Sequence, residues 1–441
     1  MNHVEAREHE QCRQILRGTR GRRHAFLWAL VLLQFSLCGY GEHLSTLATA
    51  PDWARLEQFQ ETITRDEFAR LLNEVYAPNG AANGIIEVRN ETATIQCTLT
   101  PPVSWTLRFA SDQRAAKPIR RFWRAASQLG PAPANQPLAG AKIAIDPGHI
   151  GGAWARMEER WFQLDDAMPV AEGEMTLRVA ERLAPQLRAL GAEVSMVRER
   201  TAPTTLARPS MLADAARAEL AAAGKTTPPE TYDTRSDPHR GRTVQYHSEM
   251  LFYRAAEIRH RGDLVNRILK PDLTVCLHFN AEPWGEPRTP TLTKRNHFHV
   301  IVNGAYSATE LRNDDVRFEM LLKLLERSSP EEIAASENVA MAVSRATDLP
   351  AYRYSTNNAR HLGQTPFLWA RNLLANRVYQ TPVVYLEPYV MNSEEVWERV
   401  QAGDYDGERM IAGRMRKSIH REYADAVAAG LRSYFAAVRS K

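Results

Sequence analysis

The chain has 441 residues, of which 44% are hydrophobic and 24% charged, and its formal net charge at pH 7 is +4. This length is sufficient for two or three domains, and the composition is that of an ordinary globular protein rather than a fibrous or disordered one. The positive excess comes from 56 basic and 52 acidic side chains. So small an excess argues against nucleic acid as a partner.

The first fifty residues have the three-part order of a secretory signal. The basic stretch GTRGRRH precedes the apolar run AFLWALVLLQFSLC, and STLATA follows with small residues suited to cleavage. The apolar run, residues 25–38, is short for a membrane-spanning helix. We therefore predict a signal peptide over residues 1–50. In the alternative, this segment stays uncleaved and is the chain's only attachment to a membrane.

Residues 51–139 are predicted to form a small α+β domain followed by a Pro/Ala-rich linker. In TRDEFARLLNEVY, Thr64 caps a helix with apolar residues at helical spacing. GIIEVRN, ATIQCTLT and VSWTLRFA have the composition of strands, and GPAPANQPLAG, residues 130–140, that of a linker. Nothing in this segment indicates chemistry, so its role is left open.

Residues 140–441 have the pattern of an α/β domain. The strand KIAID, the helix EMTLRVAERLAPQLRAL and the strand AEVSMVRE form a βαβ unit, which predicts a mostly parallel twisted sheet flanked by helices. Residues 201–245 are a polar, partly helical insertion, and DLTVCLHFN, NHFHVIVN and TPVVYLE are later strands. Cys97 and Cys276 are too few for a disulfide framework, so we expect them to be free and buried.

Three of these strands end in polar side chains. KIAID leads to His149, LTVCL to His278 and Asn280, and VVYL to Glu387. Ligands of open α/β sheets gather at the carboxyl ends of the strands. Two imidazoles there, with a carboxylate at Glu172 or Glu174, are typical of a catalytic zinc site.

Four blocks carry a resemblance to a known family. IAIDPGHIGG, EGEMTLRVAERL, PDLTVCLHFNAE and TPVVYLEPYVMN, in this order, resemble the zinc-dependent N-acetylmuramoyl-L-alanine amidases of bacterial cell-wall metabolism. The resemblance extends from about residue 140 to residue 438. It implies an enzyme that hydrolyses the amide between N-acetylmuramic acid and L-alanine, with peptidoglycan as its substrate. It also implies secretion to the periplasm or cell envelope, and an activator protein as a further partner.

The resemblance assigns a role to individual residues. It implies that His149, Glu172 and His278 bind one Zn²⁺ per chain, and that Glu387 is the catalytic base. Glu172 is preferred to Glu174 because the family's ligand stands eight residues before an alanine of the helix, here Ala180.

Further residues match family positions with less defined roles. Arg371 and Asn280 are expected to bind substrate, Arg371 either as a carboxylate clamp or as one half of a structural salt bridge. Arg261 and Asn266 match polar residues of the helix before His278.

The chain also departs from the family. Ile150 stands between His149 and the glycine pair, where the family has His-Gly-Gly. PYVMNS, residues 388–393, replaces the family's Gly-Phe-x-Ser-Asn after the catalytic glutamate, and the insertion at 201–245 is long for the family.

Alternatives remain for both site and function. Cys276 lies two residues before His278 and either approaches the metal or packs beneath the site. His297 and His299 form an H-x-H pair that offers other metal ligands. The alternative functions are a zinc peptidase acting on stem peptides and a wall-binding protein without catalysis.

The segment 308–327 suggests a regulatory hypothesis. It combines an apolar face with carboxylates within reach of the open metal position under this hypothesis, namely Glu310, Asp314, Asp315, Glu319 and Glu326. Some related amidases carry a helix here that covers the zinc. The alternative is an ordinary packed surface helix.

Overall fold

The computed structural model describes residues 43–439, so the predicted signal segment up to residue 42 lies outside the described residues. The described residues belong to one compact unit. No helix among residues 43–439 combines the length and the apolar character that crossing a membrane requires.

The N-terminal segment contains one helix and a small antiparallel sheet, as predicted. Thr64 accepts a hydrogen bond from the Glu67 N–H (3.3 Å) and so caps the helix. The helix is α1 (Arg65–Leu71), and the three strands, paired in the order β1-β2-β3, are β1 (Ile86–Val88), β2 (Thr92–Leu99) and β3 (Pro102–Arg108).

The rest of the chain alternates strands and helices. In chain order its elements are β4 (Lys142–Pro147), β5 (Trp161–Phe162), β6 (Val170–Ala171), α2 (Glu172–Ala189), β7 (Glu193–Met196), α3 (Ala213–Ala222), α4 (Val244–Leu251), α5 (Glu257–Asp263), β8 (Leu273–Leu277), β9 (Phe298–Val302), α6 (Asp314–Leu325), α7 (Ser328–Thr347), β10 (Arg360–His361), β11 (Leu368–Ala370), α8 (Leu374–Val378), β12 (Val383–Pro388), α9 (Glu394–Gln401), β13 (Glu408–Ile411), β14 (Arg414–Lys417) and α10 (Ile419–Arg439).

Seven of these strands form one mixed sheet in the order β10-β11-β9-β12-β8-β4-β7. The pairs β4–β7, β4–β8, β8–β12 and β9–β11 are parallel, whereas β9–β12 and β10–β11 are antiparallel. The predicted mostly parallel sheet is therefore confirmed. Every residue of β8 is buried, as expected for a strand covered on both faces.

Helices cover the sheet and complete its core. Helix α10 packs against α2 and α7, and apolar residues of all three join one cluster with the strands. Pro185 lies within α2, which continues to Ala189. The insertion at 201–245 is partly helical through α3, as predicted.

Helix α6 is buried, which contradicts the hypothesis that it covers the metal site. Its apolar residues share a hydrophobic cluster with the N-terminal segment. Four of its five charged residues are also buried, namely Asp314, Asp315, Arg317 and Lys323, whereas the alternative, a surface helix, would expose them.

The carboxylates around α6 already have partners away from the predicted site. Glu310 accepts hydrogen bonds from Ser307, Asp314 from Arg317, Asp315 from Ser45, Glu319 from Arg377, and Glu326 from Trp123.

Candidate active site

Three neighbouring strands bring the predicted residues to one edge of the sheet. Strands β12, β8 and β4 are adjacent and parallel, so their carboxyl ends lie side by side. His149 follows β4 by two residues, His278 directly follows β8, and Glu387 lies at the end of β12. Glu172 is the first residue of α2, the helix that follows β4 and the loop after it.

His149, Glu172 and His278 form a cluster that could hold a metal ion. One ligand atom from each residue lies within 4.8 Å of the others. The Nε2 atom of His149 is 3.2 Å from Glu172 Oε2, and the Nδ1 atom of His278 is 3.1 Å from Glu172 Oε1. The carboxylate thus lies between the two imidazoles.

Glu174 does not share this position. Its Oε1 accepts a hydrogen bond from the backbone N–H of Gly152 at 3.0 Å. Of the two carboxylates between which the sequence left a choice, Glu172 is the one that lies between the histidines.

Burial lowers the pKa of His278, but its hydrogen bond with Glu172 and the charges of Glu387 and Glu172 raise it above its ordinary value. The protonation states of the other two residues of the cluster suit a cation. Burial raises the pKa of Glu172, but the histidines and Arg160 outweigh burial and bring it to about 2. Burial lowers the pKa of His149 well below its ordinary value, which leaves an imidazole able to bind metal. Glu172 Oε2 is buried without a hydrogen-bond partner, although Arg160 Nε is 3.1 Å away. A buried oxygen of this kind is fitted to a metal ion.

The turn that presents His149 requires glycine. A methyl group on Gly148 would lie 2.2 Å from the ring of His278, so the two ligand segments approach closely only without a side chain there. Below the turn, the buried Arg261 donates to Asp146 (2.9 Å) and to the carbonyl of His149 (2.8 Å). Arg261 therefore supports the loop. Asn266, which donates to the carbonyl of Val378 at 2.8 Å, tethers a neighbouring segment.

The sequence patterns did not identify two charged residues of the site. Glu158 is buried (2% exposed), and its Oε1 lies 3.4 Å from Nδ1 of His149. Arg160 forms an ion pair with Glu172. The only signal was the charge run in ARMEER, residues 155–160, which does not distinguish a solvated loop from a site.

Glu387 stands beside the cluster as a half-buried carboxyl group. Burial and the negative charge of Glu172 raise its pKa, while His278, Arg160 and Arg371 lower it, and the result is about 7. A group that titrates near neutral pH can both accept and release a proton there.

The cluster opens into a cavity of about 530 Å³ that Glu387, Arg371 and Asn280 also line. Arg371 donates to the hydroxyl of Tyr354 (3.2 Å), which lies 3.0 Å from Nε2 of His299. Among the described residues Arg371 forms no ion pair, so the salt-bridge alternative has no partner there. Its role in binding substrate stays a prediction, as does that of Asn280.

The remaining candidates lie outside the metal cluster. Cys276 is buried in a hydrophobic cluster with Tyr385. Of its two alternative roles, this position corresponds to packing beneath the site. Both Cys97 and Cys276 are free and buried, as predicted. His297 contacts Glu282 at 3.3 Å, and His299 contacts Tyr354.

No family profile matches the chain, and no curated protein matches it significantly. Several solved structures are similar to it. The CwlD amidase of Clostridioides difficile, solved in complex with the GerS lipoprotein, is 12% identical over 68% of this chain and 100% of its own, with a TM-score of 0.38. The N-acetylmuramyl-L-alanine amidase Ami1 of Mycobacterium abscessus is 15% identical over 67% and 99%, with a TM-score of 0.33. The N-acetylmuramoyl-L-alanine amidase AmiC2 of Nostoc punctiforme is 14% identical over 67% and 98%, with a TM-score of 0.33.

Proposed function

We propose that this chain is a zinc-dependent hydrolase that cleaves the amide between N-acetylmuramic acid and L-alanine in peptidoglycan. The observation that carries the proposal is the approach of His149, Glu172 and His278 to within 4.8 Å of one another, from segments far apart in sequence. The four blocks that resemble the amidases include these three residues and Glu387, and thus suggest the bond that is cleaved.

His149, Glu172 and His278 would hold the ion and leave one position open, as in other catalytic zinc sites. When bound, zinc polarises the scissile carbonyl and lowers the pKa of water. Arg261 and the glycine turn hold His149 in place for this task.

Glu387 is the proposed general base. Its half-buried carboxylate takes a proton from the attacking water and returns it to the amine that leaves. A pKa of about 7 suits both steps near neutral pH. Arg371 and Asn280, which line the same cavity, would bind polar groups of the substrate.

The proposal includes a location and partners. Peptidoglycan lies outside the cytoplasm, so we expect residues 1–50 to direct the chain to the periplasm or cell envelope. An activator protein is a further expected partner.

Mass spectrometry of products from purified peptidoglycan tests the bond preference. Intact stem peptides that begin with a free L-alanine amine, released from the glycan, are expected. Cuts within the stem peptide would instead indicate a peptidase. Binding of peptidoglycan without hydrolysis by the zinc-loaded chain would indicate a wall-binding protein. Glu387→Gln is the control, because it removes the base and keeps the metal ligands.

A further inference from the structure

One buried carboxylate beside the cluster has no role in the proposed reaction. Glu158 lies in the loop between β4 and β5, nine residues after His149. It is 2% exposed, and its carboxylate accepts the N–H groups of Ile150 (2.9 Å) and Gly151 (3.0 Å). Its third neighbour is the Nδ1 atom of His149, at 3.4 Å.

The backbone at His149 needs this support. His149 has φ of +57°, a left-handed conformation that non-glycine residues rarely adopt. Such a conformation persists where the surroundings hold it in place. Glu158 does so by binding the next two N–H groups in the chain. One of them belongs to Ile150, the residue at which this chain departs from the amidase pattern.

The same carboxylate distinguishes the two ring nitrogens of His149. Nδ1 faces Glu158, whereas Nε2 is 3.2 Å from Oε2 of the ligand Glu172. A metal-binding histidine usually donates its other ring N–H to a carboxylate or carbonyl, which fixes its tautomer and orientation.

We propose that Glu158 is the positioning residue for His149. It holds the left-handed turn through two backbone N–H groups and accepts the Nδ1–H, so that Nε2 is the nitrogen offered to the metal. This inference rests on the metal site of the proposed function, but it concerns metal binding and not the bond that is cleaved.

Zinc affinity of Glu158→Gln, measured by chelator competition without substrate, tests the proposal. At the position of Oε2, the glutamine oxygen can accept both backbone N–H groups. Its NH₂ group then replaces Oε1 beside His149 and cannot accept the Nδ1–H. Zinc affinity is expected to fall about 10- to 100-fold, the usual effect of losing such a partner. The matched control is Glu159→Gln, since Glu159 pairs with Arg240 instead, and its zinc affinity is expected to equal that of the native protein. Equal zinc affinity in Glu158→Gln would overturn the proposal.

The melting temperatures of the zinc-free proteins separate positioning from folding. A lower melting temperature with unchanged zinc affinity would assign Glu158 a purely structural role and overturn the proposal. If Glu158→Gln does not fold, nuclear magnetic resonance of the native zinc-loaded protein with isotope-labelled histidine decides. His149 is expected to carry its proton on Nδ1 and its metal on Nε2, and the reverse assignment would overturn the proposal.

These results are independent of the bond that is hydrolysed. Loss of zinc affinity in Glu158→Gln, in a protein that releases no stem peptides, would refute the proposed function and leave the role of Glu158 standing. Release of stem peptides by the native protein, together with unchanged zinc affinity in Glu158→Gln, would support the proposed function and refute the role of Glu158.

Discussion

Glu387 combines a half-buried position with the proximity of a second carboxylate, Glu172, and both raise its pKa to about 7. Only the deprotonated form can accept a proton from water. The hydrolysis rate is therefore expected to rise with pH through about 7 and to level off above it. Glu387→Gln should retain zinc, lose at least ~100-fold in kcat and lack this rise. Rate–pH profiles with metal analysis check this, and near-native turnover by the variant would place the base elsewhere.

Glu172 and Glu174 form a natural pair for comparison, because they lie two residues apart in the first turn of α2. Glu172 offers a ligand atom to the cluster, whereas Glu174 binds the N–H of Gly152. Glu172→Ala is expected to weaken zinc binding by more than the roughly 100-fold typical of residues around a metal ligand. Glu174→Ala should weaken it less. Chelator competition measures both, and the opposite order would contradict the assignment.

The residues of the cluster could be found from the sequence because each lies at a defined place, a strand end or a helix start. Glu158 and Arg160 lie in an irregular loop, where no periodicity relates spacing to direction. Their approach to His149 and Glu172 depends on how that loop folds. Such contacts are set by tertiary structure, so the charge run alone could not reveal them.

At the scale of elements, α6 shows where sequence patterns mislead. Its charged residues suggested an exposed face, but Arg317 pairs with Asp314 and Lys323 with Glu332 in the interior. The sequence alone does not distinguish a charged residue in a buried ion pair from one that is exposed to solvent. The strands gave a clearer signal, because continuous apolar runs such as LTVCL occur mainly where both faces of a sheet are covered.

Glu326, just after α6, is expected to make the stability of the folded protein depend on pH. Burial raises its pKa from the ordinary 4.5 to about 7, although Trp123 donates a hydrogen bond to it. The folded protein therefore holds a proton that the unfolded chain has lost, and stability falls as pH rises from about 4.5 to 7. At pH values above that range, this group lowers the free energy of unfolding by about 3 kcal/mol.

Glu326→Gln should remove this dependence. The variant is expected to exceed the native protein in free energy of unfolding at about pH 8 and to match it near pH 4.5. Urea unfolding at several pH values measures the difference, with the exposed Glu74→Gln as the control. A constant difference across pH would show that Glu326 does not titrate in this range.

At the scale of the whole molecule, metal binding and folding should be linked. The ligands come from the loop after β4, the start of α2 and the end of β8, so they come together only in the folded chain. Zinc at 100 times its Kd is expected to add about 2.7 kcal/mol to the free energy of unfolding. Thermal melting with and without a chelator measures the shift. His278→Ala should melt at one temperature in both conditions, and a shift in that variant would place the zinc at another site.

The hydrophobic cluster that α6 shares with the N-terminal segment has a consequence for dissecting this protein. Leu321 and Leu325 pack in one cluster with Phe59 and Phe68, and Arg327 binds Glu67 at 2.8 Å. A fragment that starts at residue 140 would expose this apolar surface to water and is expected to aggregate. In recombination between related genes, a new N-terminal segment would have to arrive together with a matching α6. The two stretches, which are 260 residues apart at the Arg327–Glu67 pair, are therefore expected to be inherited and to vary together.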